Sequence, residues 1–343
     1  MNPLALTYAE TVALFRLRYG RGDHHAAAFY RGFHRLADNQ WRDLPPFLAA
    51  SRLAQAVADD LAPRPLVPVG QEVRDGVAKK VFALPDGLPV ETVVIPMARH
   101  TTVCVSCQVG CRMGCRFCET GRMGFRRNLT PAEIVAQVHA VRTAPGPTVR
   151  NVVFMGMGEP LDNFDNVIQA IRVLSDQRGL NIALRRITVS TVGIVPGIAR
   201  LAALGWPQLK LAVSLNAADD DLRSTLMPIN RRYGLAALRE ALTTYPLARG
   251  NVLLVEYVLI RGVNDQEAHA DRIAAFIEGL PVRLNLIPCN PGPHSSYDAP
   301  SAADVARFRQ YLIDRRLFVR LRRSKGCDIQ AACGQLGSAL QTQ

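Results

Sequence analysis

From about Thr101 onward, short apolar runs that read as β-strands alternate with amphipathic stretches that read as helices, and no other feature restricts the fold as much. The expected strands are Thr102–Ser106, Asn151–Met155, Arg186–Ser190, Leu209–Leu215, Leu253–Leu259 and Val282–Ile287. The expected helices are Pro131–Arg142, Phe164–Gln177, Val195–Leu204, Leu235–Thr244, Gln266–Leu280 and Ala302–Arg315. Repeated strand–helix units require a parallel sheet with helices packed outside it. Six units are too few to close an eight-stranded barrel. An α/β fold of the open, partial (β/α)6 type is therefore expected, with its chemistry at the carboxyl ends of the strands. A last strand at Leu317–Arg322 leads into the segment carrying Cys333.

Upstream the pattern changes. Apolar residues spaced by three and four through Thr11–Leu17, Ala26–Leu36 and Leu48–Leu61 predict a small helical accessory domain over residues 1–62. Arginines and histidines there interleave with Tyr19, Phe29, Tyr30 and Phe33. That mixture suits nucleic-acid docking, and it equally suits a helical cap with solvated charges. Pro63–Pro68 is a proline-rich break. Strands at Glu72–Asp75, Val77–Leu84 and Val90–Ile95, joined by Asp-Gly turns, give a short β extension over residues 69–100. The barrel with its C-terminal cysteine loop is expected over 101–336.

Composition narrows the setting. Of 343 residues 48% are hydrophobic, yet no apolar stretch is long enough for a membrane span. No signal-peptide core follows Met1, so the eight cysteines are expected in the reducing cytoplasm. There they point to metal or redox chemistry rather than a disulfide scaffold. Lys plus Arg number 41 against 29 Asp plus Glu, a formal charge of +12 that suits an acidic polymer as partner. The predominance of arginine suits bidentate phosphate contacts and stacking on bases.

Three of the cysteines stand together in Cys111-Arg-Met-Gly-Cys115-Arg-Phe-Cys118, a C-x-x-x-C-x-x-C spacing. Three thiolates can hold one metal centre, one ligand short of the four that usually hold a four-iron cluster. An iron left open to a small molecule is what radical chemistry with S-adenosylmethionine needs. Spacing alone leaves a structural zinc site open as well, with Cys104 or Cys107 as fourth ligand.

The second strand runs into Met155-Gly-Met-Gly-Glu159-Pro160, and Phe117 stands just before the third cysteine. In this order the features resemble the radical S-adenosylmethionine enzymes, in which a GGEP motif follows the cysteine loop. Glycine lets backbone approach a ligand closely, and a carboxylate can accept hydrogen bonds from the methionyl ammonium. The match then narrows. Cys104-Val-Ser-Cys-Gln-Val-Gly-Cys111, Ser190-Thr191, Ser214-Leu215, Met227-Pro-Ile-Asn230, Asn285-Leu-Ile-Pro-Cys-Asn290-Pro291 and Asp328-Ile-Gln-Ala-Ala-Cys333-Gly-Gln-Leu resemble the RlmN/Cfr family of radical S-adenosylmethionine RNA adenosine methyltransferases. The resemblance runs from about Val90 to Leu336; the N-terminal helices carry no matching motif.

The resemblance implies a radical-SAM partial barrel in which Cys111, Cys115 and Cys118 hold a [4Fe-4S] cluster. S-adenosylmethionine would bind through Gly158, Glu159, Ser190, Ser214, Leu215, Asn216 and Asn290. The implied reaction methylates carbon 2 or carbon 8 of an adenosine in rRNA or tRNA, in a ping-pong sequence that uses two molecules of S-adenosylmethionine. Cys333 would first take a methyl group; radical chemistry on a second cofactor molecule would then join that carbon to the base. Glu91 would act as proton acceptor, and Cys104 would attack the Cys333 sulfur, releasing the product as a disulfide forms. An electron donor such as a flavodoxin or ferredoxin and a monomeric enzyme are implied. The target base must leave its stack. Arg122, Arg126, Arg127, Arg322 and Arg323 are expected phosphate contacts.

Some positions depart from the family pattern. Asn216 stands where histidine is usual, Cys289 where tryptophan is usual, and Cys107 and Cys327 are extra thiols. The stretch Glu119-Thr-Gly-Arg-Met-Gly differs from a common Ser-Thr-Ala. These changes adjoin the expected pocket and bear on its substrate. The other reading is a radical enzyme of the same build that methylates something other than RNA.

Overall fold

Four antiparallel strands feed the chain into its parallel core: β1 (Val67–Arg74), β2 (Val77–Ala83), β3 (Pro89–Met97) and β4 (His100–Cys104). The computed structural model describes residues 1–36, 40–62, 66–143, 148–322 and 325–337. Arg323 lies outside the described residues. A short hairpin, β5 (Gln108–Gly110) and β6 (Phe125–Asn128), brackets the cysteine loop. Then come β7 (Val149–Phe154), β8 (Ile187–Thr191), β9 (Lys210–Ser214), β10 (Leu253–Leu259), β11 (Val282–Pro288) and β12 (Val319–Leu321). They join β4 in parallel, so that one ten-stranded sheet runs β1-β2-β3-β4-β7-β8-β9-β10-β11-β12 and stays open between β1 and β12. The expected partial barrel is present.

The β extension is part of that same sheet. Val93 pairs with Cys104, and Cys104 with Val153, which carries the antiparallel strands directly into the core. Strand β1 also begins earlier than the expected Glu72, at Val67, and includes Pro68. An edge strand tolerates a residue without an N–H, and the register shifts between Pro68 and Gly70. Because every residue of β1 is exposed, it carries no buried alternation that a sequence could display.

The N-terminal helices are α1 (Tyr8–Tyr19), α2 (Asp23–Arg35), α3 (Pro45–Leu48) and α4 (Ser51–Asp60). A capping box of Thr7 with Glu10 starts α1, satisfying free N–H groups at both ends of the motif. Phe15, Phe29, Phe33, Trp41 and Phe47 pack as a core. Tyr30 is buried too, and the Tyr19 hydroxyl donates to Asp60. These aromatics hold the unit together and are not presented for base stacking, so of the mixture that suited docking only basic residues face outward. Several arginines are also engaged: Arg16 with Asp23, Arg18 with Asp60, and Arg35 with the carbonyls of Gln177 and Gly179.

The remaining helices are α5 (Glu119–Arg122), α6 (Pro131–Thr143), α7 (Phe164–Ser175), α8 (Val195–Ala203), α9 (Asp220–Leu226), α10 (Leu235–Thr243), α11 (Glu267–Ile277) and α12 (Ala302–Asp314). Six of them match the expected helices; α5 and α9 are short, lie at the carboxyl ends of strands, and were not anticipated. No helix among the described residues is long and apolar enough to cross a membrane.

Candidate active site

The site begins where two loops fasten to each other above the strands. Gly156 N–H donates to Val105 O at 3.1 Å, Cys107 N–H to Met157 O at 2.8 Å, and Glu159 N–H to the Gln108 side-chain oxygen at 2.9 Å. Gly158, at φ 100°, has no room for a side chain: a Cβ would stand 2.5 Å from Cβ of Gln108. The glycines of the Met155–Pro160 stretch therefore serve contact with the Val105–Gln108 segment as well as any ligand. Cys107 belongs to this scaffold. Its carbonyl accepts from Asn163 and Leu129, and its thiol is buried.

The cysteine loop is pinned by Cys111 N–H to Gly124 O at 3.0 Å and by Arg116 N–H to Leu226 O at 3.0 Å, on the last turn of α9. Burial pushes the Cys111 thiol up to about 12 and raises Cys115 and Cys118 as well. Cys115 also feels the charges of Cys118 and Cys111. Three thiolates in so dry a place need a metal's positive charge to exist. Among the described residues no three His, Cys, Asp or Glu side chains converge tightly enough to hold a single ion. Three thiolates are one short of the four that close a structural zinc site, and they leave one iron of a four-iron cluster open. Cys104, a possible fourth zinc ligand, borders a different cavity from that of the trio.

A cavity of about 150 Å³ adjoins Cys115 and Cys118, and its walls include Phe117, Gly158, Glu159, Ser190, Ser214, Asn216 and Asn290. Six of the seven expected cofactor-binding residues therefore meet there. Leu215 does not line it; fully buried, it contributes through its backbone, with N–H donating to Glu256 O. The Glu159 carboxylate accepts from Leu161 N–H at 3.0 Å and Val192 N–H at 2.9 Å, and burial raises its pKa to about 7. Asn216, at φ 58°, accepts from Val258 N–H and donates to the Met227 sulfur, so its amide braces the pocket wall. Asn290 accepts from the Cys327 thiol at 3.2 Å. Cys289 lines the same cavity.

Arg223 on α9 was missed from sequence. Its guanidinium is fully buried and donates to Val192 O (2.7 Å), Ser214 O (3.1 Å), Leu215 O (3.0 Å) and the Asn230 side-chain oxygen (2.7 Å). It thereby ties the carboxyl ends of β8 and β9 together beneath the cavity. Asn230 in turn donates to Asp220 and Ser224, which explains the Met227–Asn230 motif. The available signal was an arginine seven residues ahead of that motif's asparagine.

A second, larger cavity of about 660 Å³ lies along the inner face of the sheet. Cys333, exposed, borders both cavities; Cys104, buried at the end of β4, borders the larger one. Burial, and then the nearby Cys333, push the Cys104 thiol up to about 12. The Cys333 segment is held by Gly334 O accepting from Glu119 N–H (2.8 Å), Leu336 O accepting from the Thr120 hydroxyl (2.6 Å), and Gln335 donating to Pro291 O (3.2 Å). Glu91 is fully buried and lines neither cavity. One of its oxygens accepts from Gly337 N–H at 2.8 Å, the other has no hydrogen-bond partner among the described residues, and burial raises its pKa. Two expected phosphate contacts are already engaged: Arg127 with Asp86 and Glu133, and Arg322 with Glu256. Arg122 and Arg126 are exposed.

A family model described as the Radical SAM superfamily matches residues 105–273. A dual-specificity RNA methyltransferase RlmN of Geobacter sulfurreducens is 49% identical over 268 residues, 78% of this chain and 73% of that protein. Another, from Syntrophotalea carbinolica, is 44% identical over 311 residues, 90% of this chain and 82% of that protein. The chain belongs to the RlmN family. The crystal structure of a radical SAM methyltransferase from Sphaerobacter thermophilus has the same fold, with a TM-score of 0.91 and 43% identity over 98% of this chain and 99% of that one. As a radical SAM enzyme of the RlmN family it uses a four-iron cluster and S-adenosylmethionine, and the buried trio and adjoining cavity fit both.

Proposed function

We propose that the chain methylates carbon 2 or carbon 8 of an adenosine in RNA, with Cys333 as the carrier of the transferred carbon. One observation carries this reading: Cys333 lines both cavities, sharing the smaller with Cys115 and Cys118 and the larger with Cys104. The smaller cavity suits S-adenosylmethionine. The larger is of the size that takes a flipped nucleotide. When bound, the cluster and S-adenosylmethionine supply the one-electron chemistry that an unactivated aromatic carbon requires.

The chain's own residues do the rest. Glu159 receives the methionyl ammonium, and Ser190, Ser214 and Asn290 offer hydrogen bonds to the remaining polar groups of the donor. The exposed Cys333 thiolate displaces the methyl group from its sulfonium and presents it to the base. Glu91 takes the proton from the modified carbon once the Leu336–Gly337 turn that covers it has moved aside. Cys104 then attacks the Cys333 sulfur, expelling the methylated product and leaving a disulfide that an external thiol reduces. The electron comes from a flavodoxin or ferredoxin, and the enzyme works as a cytoplasmic monomer on rRNA or tRNA.

The test is incubation of the reconstituted enzyme with methyl-labelled donor and bulk RNA, followed by digestion to nucleosides. Labelled methyladenosine is expected from the parent and none from Cys333→Ala. Label recovered only in a small molecule, or retained methylation in the variant, refutes the reading.

A further inference from the structure

Side chains along each parallel strand alternate between the inner and outer faces. At the amino-terminal end of the barrel, the inward positions bring four cations to the wall of the larger cavity: Arg186 just before β8, Lys210 opening β9, Arg283 in β11 and Arg320 in β12. Layers of inward side chains in such barrels are ordinarily apolar. Lys210 has its pKa lowered by burial and then by the charges of Arg186 and Arg283, so these groups crowd one another. Among the described residues, none of the four is paired with a carboxylate. Among the described residues the cavity has one carboxylate in its wall, Glu256, and that group is spent on Arg322 (3.0 Å) and Asn285 (2.8 Å). Like charges gathered around a cleft without a counter-charge focus a field that attracts an anion.

We propose that Arg186, Lys210, Arg283 and Arg320 form a phosphate clamp for RNA. The nucleotides flanking the target adenosine lie across the amino-terminal mouth while the base reaches up the barrel toward Cys333. The clamp rests on the RNA reading above and adds to it the route of entry. It adds to the phosphate contacts expected from sequence, of which Arg127 and Arg322 are already paired with carboxylates.

The experiment uses the reconstituted holoenzyme and a fluorescein-labelled RNA stem–loop with a loop adenosine, titrated by anisotropy between 50 and 300 mM KCl. Lys210→Ser with Arg283→Ser removes two contacts. Each single-strand phosphate contact contributes about 0.7 to the slope of log Kd against log salt, so the slope falls by about 1.4 and binding at 0.1 M weakens about 25-fold. Binding of S-adenosylmethionine is unchanged. Arg307→Ser with Arg309→Ser, which removes the same charge from the exposed face of α12, leaves the slope as in the parent. If the parent binds and the Lys210/Arg283 variant binds with the same slope and affinity, the clamp is wrong and the RNA reading survives. If the parent itself does not bind this RNA at any salt, both fall together.

Discussion

Replacing Arg223 by methionine tests whether a guanidinium outside the cavity wall organises the cofactor site. The substitution keeps an unbranched, apolar filling and deletes every donor. Four acceptors then lose their partner, three of them main-chain oxygens at Val192, Ser214 and Leu215, and the fourth on Asn230. A buried acceptor left unsatisfied costs about 1 kcal/mol at the low end, or about 4 kcal/mol for the set; relief from burying a charge offsets about 1 kcal/mol of it. A net loss of about 3 kcal/mol lowers Tm by roughly 4 °C in a chain of this size. Arg223→Lys keeps the charge but cannot span the four acceptors, so about half the loss is expected. Circular dichroism melts of the apoprotein read stability, and calorimetric titration reads S-adenosylmethionine affinity, expected to weaken about tenfold because Ser214 and Val192 line the cavity. A methionine variant with Tm within about 1 °C and affinity within about twofold of the parent defeats the reasoning.

Other expectations follow from the same geometry. Burial holds Glu159 at about 7, and only its ionised form pairs with an ammonium, so the Kd for S-adenosylmethionine should tighten about fivefold from pH 6 to 7 and level off above about pH 7.5. Glu159→Gln should bind weakly and without that slope; a parent that binds equally at pH 6 and 7 contradicts the assignment. Gly158→Ala adds a Cβ 2.5 Å from Gln108 at a left-handed φ, so about 2 kcal/mol of stability and most donor binding should be lost, read by melt and titration. Cys104→Ala should trap protein joined to RNA, visible as a shifted band on a denaturing gel; normal turnover without the adduct removes Cys104 from product release.

The βα alternation was legible because strands buried on both faces show continuous apolar runs and the crossover helices carry amphipathic stripes. The extent of β1 was not, since it is an exposed edge without a buried face. The cysteine trio proposed to hold the cluster, and the six of seven expected residues that meet at the smaller cavity, stood out because chemistry confines them to short motifs at strand ends. Arg223 escaped because a lone arginine in a polar helix reads as solvated, and only the fold reveals that its partners come from two strand ends and a turn. The N-terminal mixture left docking and a solvated cap equally open for the opposite reason: sequence does not show that Phe29, Tyr30 and Phe33 face inward.

Cys118 is followed at once by α5, and α5 is where Gly334 and Leu336 are tethered, through Glu119 N–H and the Thr120 hydroxyl. In the proposed roles, the carrier sulfur of Cys333 and the iron-ligand trio are thus mechanically linked through one helical turn. Metal loss that loosened this turn would release the carrier along with it, leaving an enzyme unable to park a methyl group it could not use.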